Sequence, residues 1–239
     1  MKIKLLLACI LLIPFFANAQ SADSQIFIQQ SGQSLTLDIN QAGQNNVIGD
    51  MANDDPFILN GVQQEFTINQ LGSNNSLFGQ VFSDSVQALL DFIGDNNRMT
   101  MLINPDGLNS ADSGQYIFSV TGSNNEFDLT VGDNAVADNA YFDWDITGDF
   151  NLFNTTVNSD NYSSMLTVFG NYNEFNITAS GFSGHSVEID HRGDYANFII
   201  SQTATLESNT IKLQTTTSGT ASTPSTICIS QSDAGTTSC

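Results

Sequence analysis

The sequence predicts an all-β fold, a β-solenoid of about seven strand-arc-strand repeats, each stacked in register on the next. Three observations carry that prediction. A hinge of the form Gly-x-x-Asn recurs at Gly43/Asn46, Gly72/Asn75, Gly94/Asn97, Gly122/Asn125, Gly148/Asn151 and Gly170/Asn173, and a seventh copy from Gly193 to Asn197 is read with one extra residue. Each hinge is flanked by side chains that alternate apolar and polar, the period of a half-buried strand. The glycines advance by 29, 22, 28, 26, 22 and 23 residues, a period at which one small unit buries its apolar face only by stacking on its neighbours.

The first element, 1–19, has the pattern of an export leader. Lys2 and Lys4 precede an apolar run from Leu5 to Phe16, and Ala17-Asn18-Ala19 places small residues where a signal peptidase reads. Cleavage after Ala19 is expected, so the mature chain is read as secreted. The run is shorter than the ~20 apolar residues a spanning helix needs, and no later segment approaches that length. A mature chain without a membrane span is therefore expected.

Charge bounds the partners. The whole chain carries a formal net charge of −20, and beyond the leader only Arg98, Arg192 and Lys212 oppose 25 acidic residues. Nucleic acid is excluded as a partner by such acidity. The charge is read first as solubility and repulsion between chains, and second as attraction of a cation, with calcium the one candidate cofactor.

Residues 20–33 form an N-terminal segment and a partial first rung. Within it, Ile26, Phe27 and Ile28 lie in an uncharged stretch free of proline, the composition of an edge that recruits another strand. They are the candidate polymerisation edge. Residues 34–214 hold the repeats. Before each hinge one face of the extended chain carries Leu37-Ile39-Gln41, Phe66-Ile68-Gln70, Ala88-Leu90-Phe92, Tyr116-Phe118-Val120, Phe142-Trp144-Ile146, Ser164-Leu166-Val168 and Val187-Ile189-His191. The other face is polar, with Asp38, Thr67, Asp91, Asp143, Asp145, Glu188 and Asp190 among its members.

At the hinge, glycine permits positive φ, and a neighbouring Asn or Asp tolerates left-handed geometry. A hairpin would pair the two flanking strands with each other, whereas an arc lets each pair with its equivalent one repeat on. The Asn three residues past the glycine points inward under this alternation. Buried alone it would cost several kcal/mol, but equivalent amides one rung apart can bond each other along a ladder. Gln41 and Gln70 are read as further inward amides. The opposite ends of the repeats hold the insertions, notably 49–63 and Asn104-Pro105-Asp106-Gly107. Asn209 to Leu213 is read as a weak eighth rung. Residues 215–239 form a Thr/Ser-rich tail, read as a cover for that end, with a terminal strand or cap near Ile227 to Gln231. Cys228 and Cys239 are a candidate disulfide in an exported chain.

Ile39-x-Gln41-x-Gly43-x-x-Asn46 and Ile68-x-Gln70-x-Gly72-x-x-Asn75 resemble the curlin repeat, and Ile28-x-Gln30-x-Gly32 matches its first half. The likeness extends over roughly Gln25 to Gln202. In later repeats the inward glutamine is replaced by Phe92, Val120, Ile146, Val168 and His191. The resemblance implies a secreted structural protein, a curli-like functional amyloid subunit or accessory that self-associates end to end into extracellular fibres for biofilm matrix and adhesion. It further implies a nucleator subunit and an outer-membrane secretion channel as partners.

The alternatives are a non-polymerising surface adhesin or a calcium-binding solenoid, although the Gly-Gly-x-Gly-x-Asp nonapeptide of calcium rolls is missing from the sequence. A polysaccharide-acting β-helix enzyme would draw on Asp143, Asp145, Glu188 and Asp190 with His185 and His191 nearby. No nucleophile, metal or acid/base motif supports that chemistry, and the protein is read as a non-enzyme.

Overall fold

The computed structural model describes residues 16–19, 25, 26, 28–49, 57–72, 74–104, 113–132, 137–181, 184–204, 209–216 and 226–232. Every regular element among them is a strand. In chain order these are β1 (Phe16–Ala19), β2 (Gln25–Ile26), β3 (Gln29–Ser31), β4 (Leu35–Ala42), β5 (Val47–Ile48), β6 (Phe57–Leu71), β7 (Ser76–Ile93), β8 (Arg98–Ile103), β9 (Gln115–Thr121), β10 (Glu126–Val131), β11 (Ala137–Asp138), β12 (Tyr141–Thr147), β13 (Leu152–Asp160), β14 (Ser163–Phe169), β15 (Glu174–Gly181), β16 (Ser186–Arg192), β17 (Asn197–Ala204), β18 (Thr210–Thr216) and β19 (Thr226–Ser232).

The strands wind as a β-solenoid of about six turns, with every pairing parallel and each strand bonded to its equivalent one coil on. Leu152 of β13 sits opposite Glu174 of β15, for example, and Tyr141 of β12 opposite Ser163 of β14. Two walls result. One contains β1, β4, the second halves of β6 and β7, then β9, β12, β14, β16 and β18. The other contains β2 and β3, β5 with the first half of β6, the first half of β7, then β8, β10, β13, β15, β17 and β19. Because β6 and β7 turn the corner without a break, the walls form one hydrogen-bonded surface.

Period-two alternation sends every second side chain between the walls, and register then stacks like positions into columns. One column is Phe127, Phe153, Phe175 and Phe198, with ring centroids 5.0, 5.1 and 5.0 Å apart. Facing it, Tyr116 stacks on Phe142 at 4.7 Å and Phe118 on Trp144 at 3.8 Å. Trp144 meets Phe127 and Phe153 edge-on across the gap. Such aromatic pairs add about 0.5–1.5 kcal/mol each beyond the area they bury.

Seven glycine arcs join the first wall to the second. Gly122 shows why this residue is needed there. Its φ is +143°, and a Cβ on it would lie 1.9 Å from the carbonyl oxygen of Gly94, the equivalent glycine one coil earlier. The same carbonyl contact recurs for Gly72, Gly148, Gly170 and Gly193. Two constraints therefore coincide at these five arcs, a backbone angle open to glycine and a separation between coils too small for a methyl group.

One expectation is corrected. The insertion at 49–63 does not sit at a corner between the walls. Phe57 to Gly61 pairs with Gly79 to Ser83, so the extra residues interrupt the second wall between Ile48 and Phe57. The reason is the alternation itself: Phe57 and Leu59 are fully buried and resume the inward face. The terminal strand expected near Ile227 to Gln231 is present: Thr226–Ser232 is a rung paired along its length with β17. Residues 105–112, where the sequence predicts a turn at Pro105-Asp106-Gly107, lie outside the described residues.

Candidate functional site: the amide ladder and the solenoid ends

Asn46, Asn75, Asn97, Asn125, Asn151 and Asn173 are all buried and stand at one register position, each immediately before a strand of the second wall. Their bonding differs along the stack. Asn97 donates through its backbone N–H and its Nδ2 to Oδ1 of Asn125, at 2.8 and 3.0 Å. Asn125 repeats both bonds to Asn151, at 3.1 and 3.0 Å, and the Asn151 backbone N–H reaches Oδ1 of Asn173 at 2.9 Å. The spare amide proton closes each arc, as when Asn125 donates to Gly122 O at 2.7 Å.

Asn46 and Asn75 do not join this chain. Asn46 donates to the carbonyl of Leu71 at 2.9 Å, and Asn75 to those of Gln70 and Gly72 at 3.2 Å. In these rungs the glutamines bond one another instead: Gln70 Nε2 donates to Gln41 Oε1 at 3.0 Å. Orphaned atoms mark where each ladder stops. Gln70 Oε1 has no hydrogen-bond partner where Phe92 takes the next place in its column, and Asn97 Oδ1 has none where the asparagine chain begins.

The seventh arc corrects the reading of Asn197. Its position is opposite Glu174, in an outward column, and the ladder position three residues past Gly193 belongs to Ala196, which is buried. The arc thus has no extra residue; the asparagine has been replaced. Asn173 Nδ2 is consequently orphaned. The carbonyl of Gly170, which would take that proton by analogy with the earlier arcs, instead accepts from His191 Nε2 at 3.0 Å.

The histidines and acids of the enzyme alternative do not converge. His185 and His191 are buried between the walls, and burial lowers both their pKa values; the nearby Asp160, and for His191 the Gly170 bond and Asp190 and Asp194, act in the opposite direction. Asp143 and Glu188 share an outward column with Met165 between them, and Asp145 and Asp190 are likewise separated by Thr167. The three basic side chains of the repeats are each engaged at the surface, Arg98 with Glu126, Arg192 with Asp190 and Lys212 with Glu188. Exposed pairs of this kind stabilise by about 0.2–1 kcal/mol. Among the described residues no group of three or more His, Cys, Asp or Glu is placed to hold a metal ion.

A stack on the outside of the arcs was not anticipated. Phe150, Tyr172 and Tyr195 occupy the left-handed position that Asn45, Asn74, Asn96 and Asn124 fill in earlier arcs, with φ of 58°, 59° and 61°. Their rings stack at 4.8 and 4.6 Å. Bulky residues are rare at such angles; the switch from Gly-x-Asn to Gly-x-Phe or Gly-x-Tyr in three successive copies is the signal in the sequence.

The ends complete the site. Ile26 and Ile28 are half-buried and pack against the core, while Phe27 lies outside the described residues. At the other end Ile227 and Ile229 are 49% and 46% exposed, although the residues beneath them in the same columns, Phe198 and Ile200, are fully buried. Cys228 is disulfide-bonded; Cys239 lies outside the described residues. Four residues of the expected leader, β1, pair with Asp38 to Gln41 at the N-terminal edge of the first wall. No helix among the described residues is long and apolar enough to cross a membrane. Compared with family models, curated proteins and solved structures, the chain matches none.

Proposed function

We propose that the protein is a secreted structural subunit that stacks end to end into extracellular fibres, as the curlin-like repeats imply, serving adhesion and biofilm matrix. The observation that carries this reading is the state of the last rung. Ile227 and Ile229 occupy core columns yet stand half in water, and among the described residues no coil lies above them. Covering the exposed half of each side chain is worth roughly 0.7–1.5 kcal/mol. The last strand of each wall, β18 and β19, pairs on one side only among the described residues. Unpaired backbone donors and acceptors beside exposed apolar side chains are the features that recruit another strand. Covering them with a second copy satisfies both needs at once.

Incubating the purified mature chain at neutral pH, with and without millimolar calcium, tests the reading. Fibres with a cross-β repeat near ~4.8 Å are the expected product. Replacing Ile227 and Ile229 together by Lys is expected to slow fibre growth at least about tenfold by placing charge in the buried contact. A chain that stays monomeric and melts higher with calcium would replace this reading by the calcium-binding one.

A further inference from the structure

The first and last strands of the second wall occupy the same columns. Register runs from Gln25 through Val47, Ser76, Arg98, Glu126, Leu152, Glu174 and Asn197 to Thr226, so residues 25–31 and 226–232 stand at opposite ends of one set of columns. Their sequences are Gln-Ile-Phe-Ile-Gln-Gln-Ser and Thr-Ile-Cys-Ile-Ser-Gln-Ser. Ile26 and Ile227, Ile28 and Ile229, Gln30 and Gln231, and Ser31 and Ser232 are identical pairs, column by column. Neither strand carries a charge, in a chain with 25 acidic residues.

The glutamine column is the most informative. From the second rung onward it holds Leu59, Val81, Ile103, Val131, Val157 and Ala179, all buried, and only then Gln202 and Gln231. Gln30 opens it at the other end. Glutamines in this column therefore belong to its two ends. A glutamine with an apolar neighbour strands its amide, as Gln70 Oε1 is stranded below Phe92, whereas glutamine on glutamine bonds directly, as Gln70 does to Gln41.

We propose that the occupant of the C-terminal edge is a second copy of this chain, docked so that β19 pairs in parallel with β2 and β3 of the next molecule in one register: Ile227 over Ile26, Ile229 over Ile28 and Gln231 over Gln30. This assignment rests on the stacking reading above and adds to it the strands, the polarity and the register. The contact continues the isoleucine columns and sets Gln231 at a register position between Gln202 and Gln30 of the neighbour. Because the two surfaces differ, the contact is heterologous and does not close, so it generates a filament. The assignment depends on the second wall alone, since the first wall opens with β1, inside the expected leader.

Cysteine pairs read the register directly. Residues in the same column on adjacent rungs lie ~4.8 Å apart, within disulfide reach, whereas a shift of two residues along the strand raises the Cα separation to about 8 Å, beyond it. Mature chains carrying Ile229→Cys are mixed with chains carrying either Ile28→Cys or Ile26→Cys, assembled, oxidised mildly and mapped by peptide mass spectrometry. The Ile229→Cys/Ile28→Cys link is expected in at least roughly tenfold excess over Ile229→Cys/Ile26→Cys, and Ile227→Cys is expected to link to Ile26→Cys. Circular dichroism of each unmixed variant checks that the fold is kept. Fibres that form without the column-matched links, or with the shifted pair preferred, would overturn the register while leaving end-to-end stacking intact. Folded chains that never assemble would overturn both.

Discussion

Between Gln41 and Asn75 the interior side-chain amides that bond one another are glutamines, while between Gly94 and Asn173 they are asparagines, although the same glycine arc shapes both regions. The change falls where Phe92 replaces the inward glutamine. With a glutamine beside the arc, its Nε2 reaches the strand after the arc, as Gln70 does to Ser76 O, and the asparagine turns to backbone carbonyls. Without it, asparagine side chains connect coil to coil. The comparison teaches that the hinge asparagine has two separable duties: bonding backbone carbonyls of its own arc or the next coil, and, where no glutamine stands beside the arc, bonding the asparagine one coil on. The aromatic columns belong to the second region, so asparagines there carry the polar ladder beside an interior of stacked rings.

The sharpest way to break the comparison is to remove what both regions share. Gly122→Ala adds a methyl where Gly94 O leaves 1.9 Å and forces a φ of +143° on an L side chain. The expected loss exceeds about 4 kcal/mol, read as a collapse of the urea midpoint or failure to fold. The next largest effect separates the regions. Asn125→Ala strips the acceptor from Asn97 N–H and Nδ2 and is expected to cost about 2–3 kcal/mol, against about 1 kcal/mol for Asn75→Ala, whose side chain bonds carbonyls alone. Equal losses in urea melts would remove the distinction between ladder and arc closure.

Acid tests the C-terminal limit of the asparagine region. His185 and His191 have folded pKa values below the ordinary 6.5, with burial the main cause. The unfolded chain then binds more protons as pH falls from that value, so the contribution is present above 6.5 and is lost as pH drops through the depressed folded values. Wild type should lose more melting temperature between pH 7.5 and 5.5 than a His185→Ala/His191→Val chain, in which Val repeats the residue found at Val168 in the same column. The smallest effect is a gain. Ala196→Asn gives the orphaned Asn173 Nδ2 an acceptor and should raise stability by about 0.5–1 kcal/mol, seen as a modest rise in Tm.

Much of the fold was legible because it rests on local chemistry. Leu37, Ile39, Phe66, Ile68, Phe142 and Trp144 face inward as their alternation requires. The bonding was less legible. Asn197 attracted the seventh hinge because an asparagine near a glycine looks like its neighbours, yet Ala196 holds the position: arc length is fixed by the coil below, and a methyl fills that buried place without a polar cost. The insertion after Ile48 was misplaced for a related reason, since its turn-like residues masked the return of alternation at Phe57. Phe150, Tyr172 and Tyr195 went unseen because left-handed positions are sought among Gly and Asn.

By itself the sequence determined the period, the inward face and the residues at which the chain must turn, because side-chain alternation and positive φ are properties of a few consecutive residues. Only the tertiary structure decided which amide bonds which, where each ladder ends, and that the isoleucines of residues 226–232 stand in core columns while half exposed. Those depend on what lies one coil away, 22 to 29 residues along the chain, and a buried donor takes its partner from that neighbour and not from its own segment.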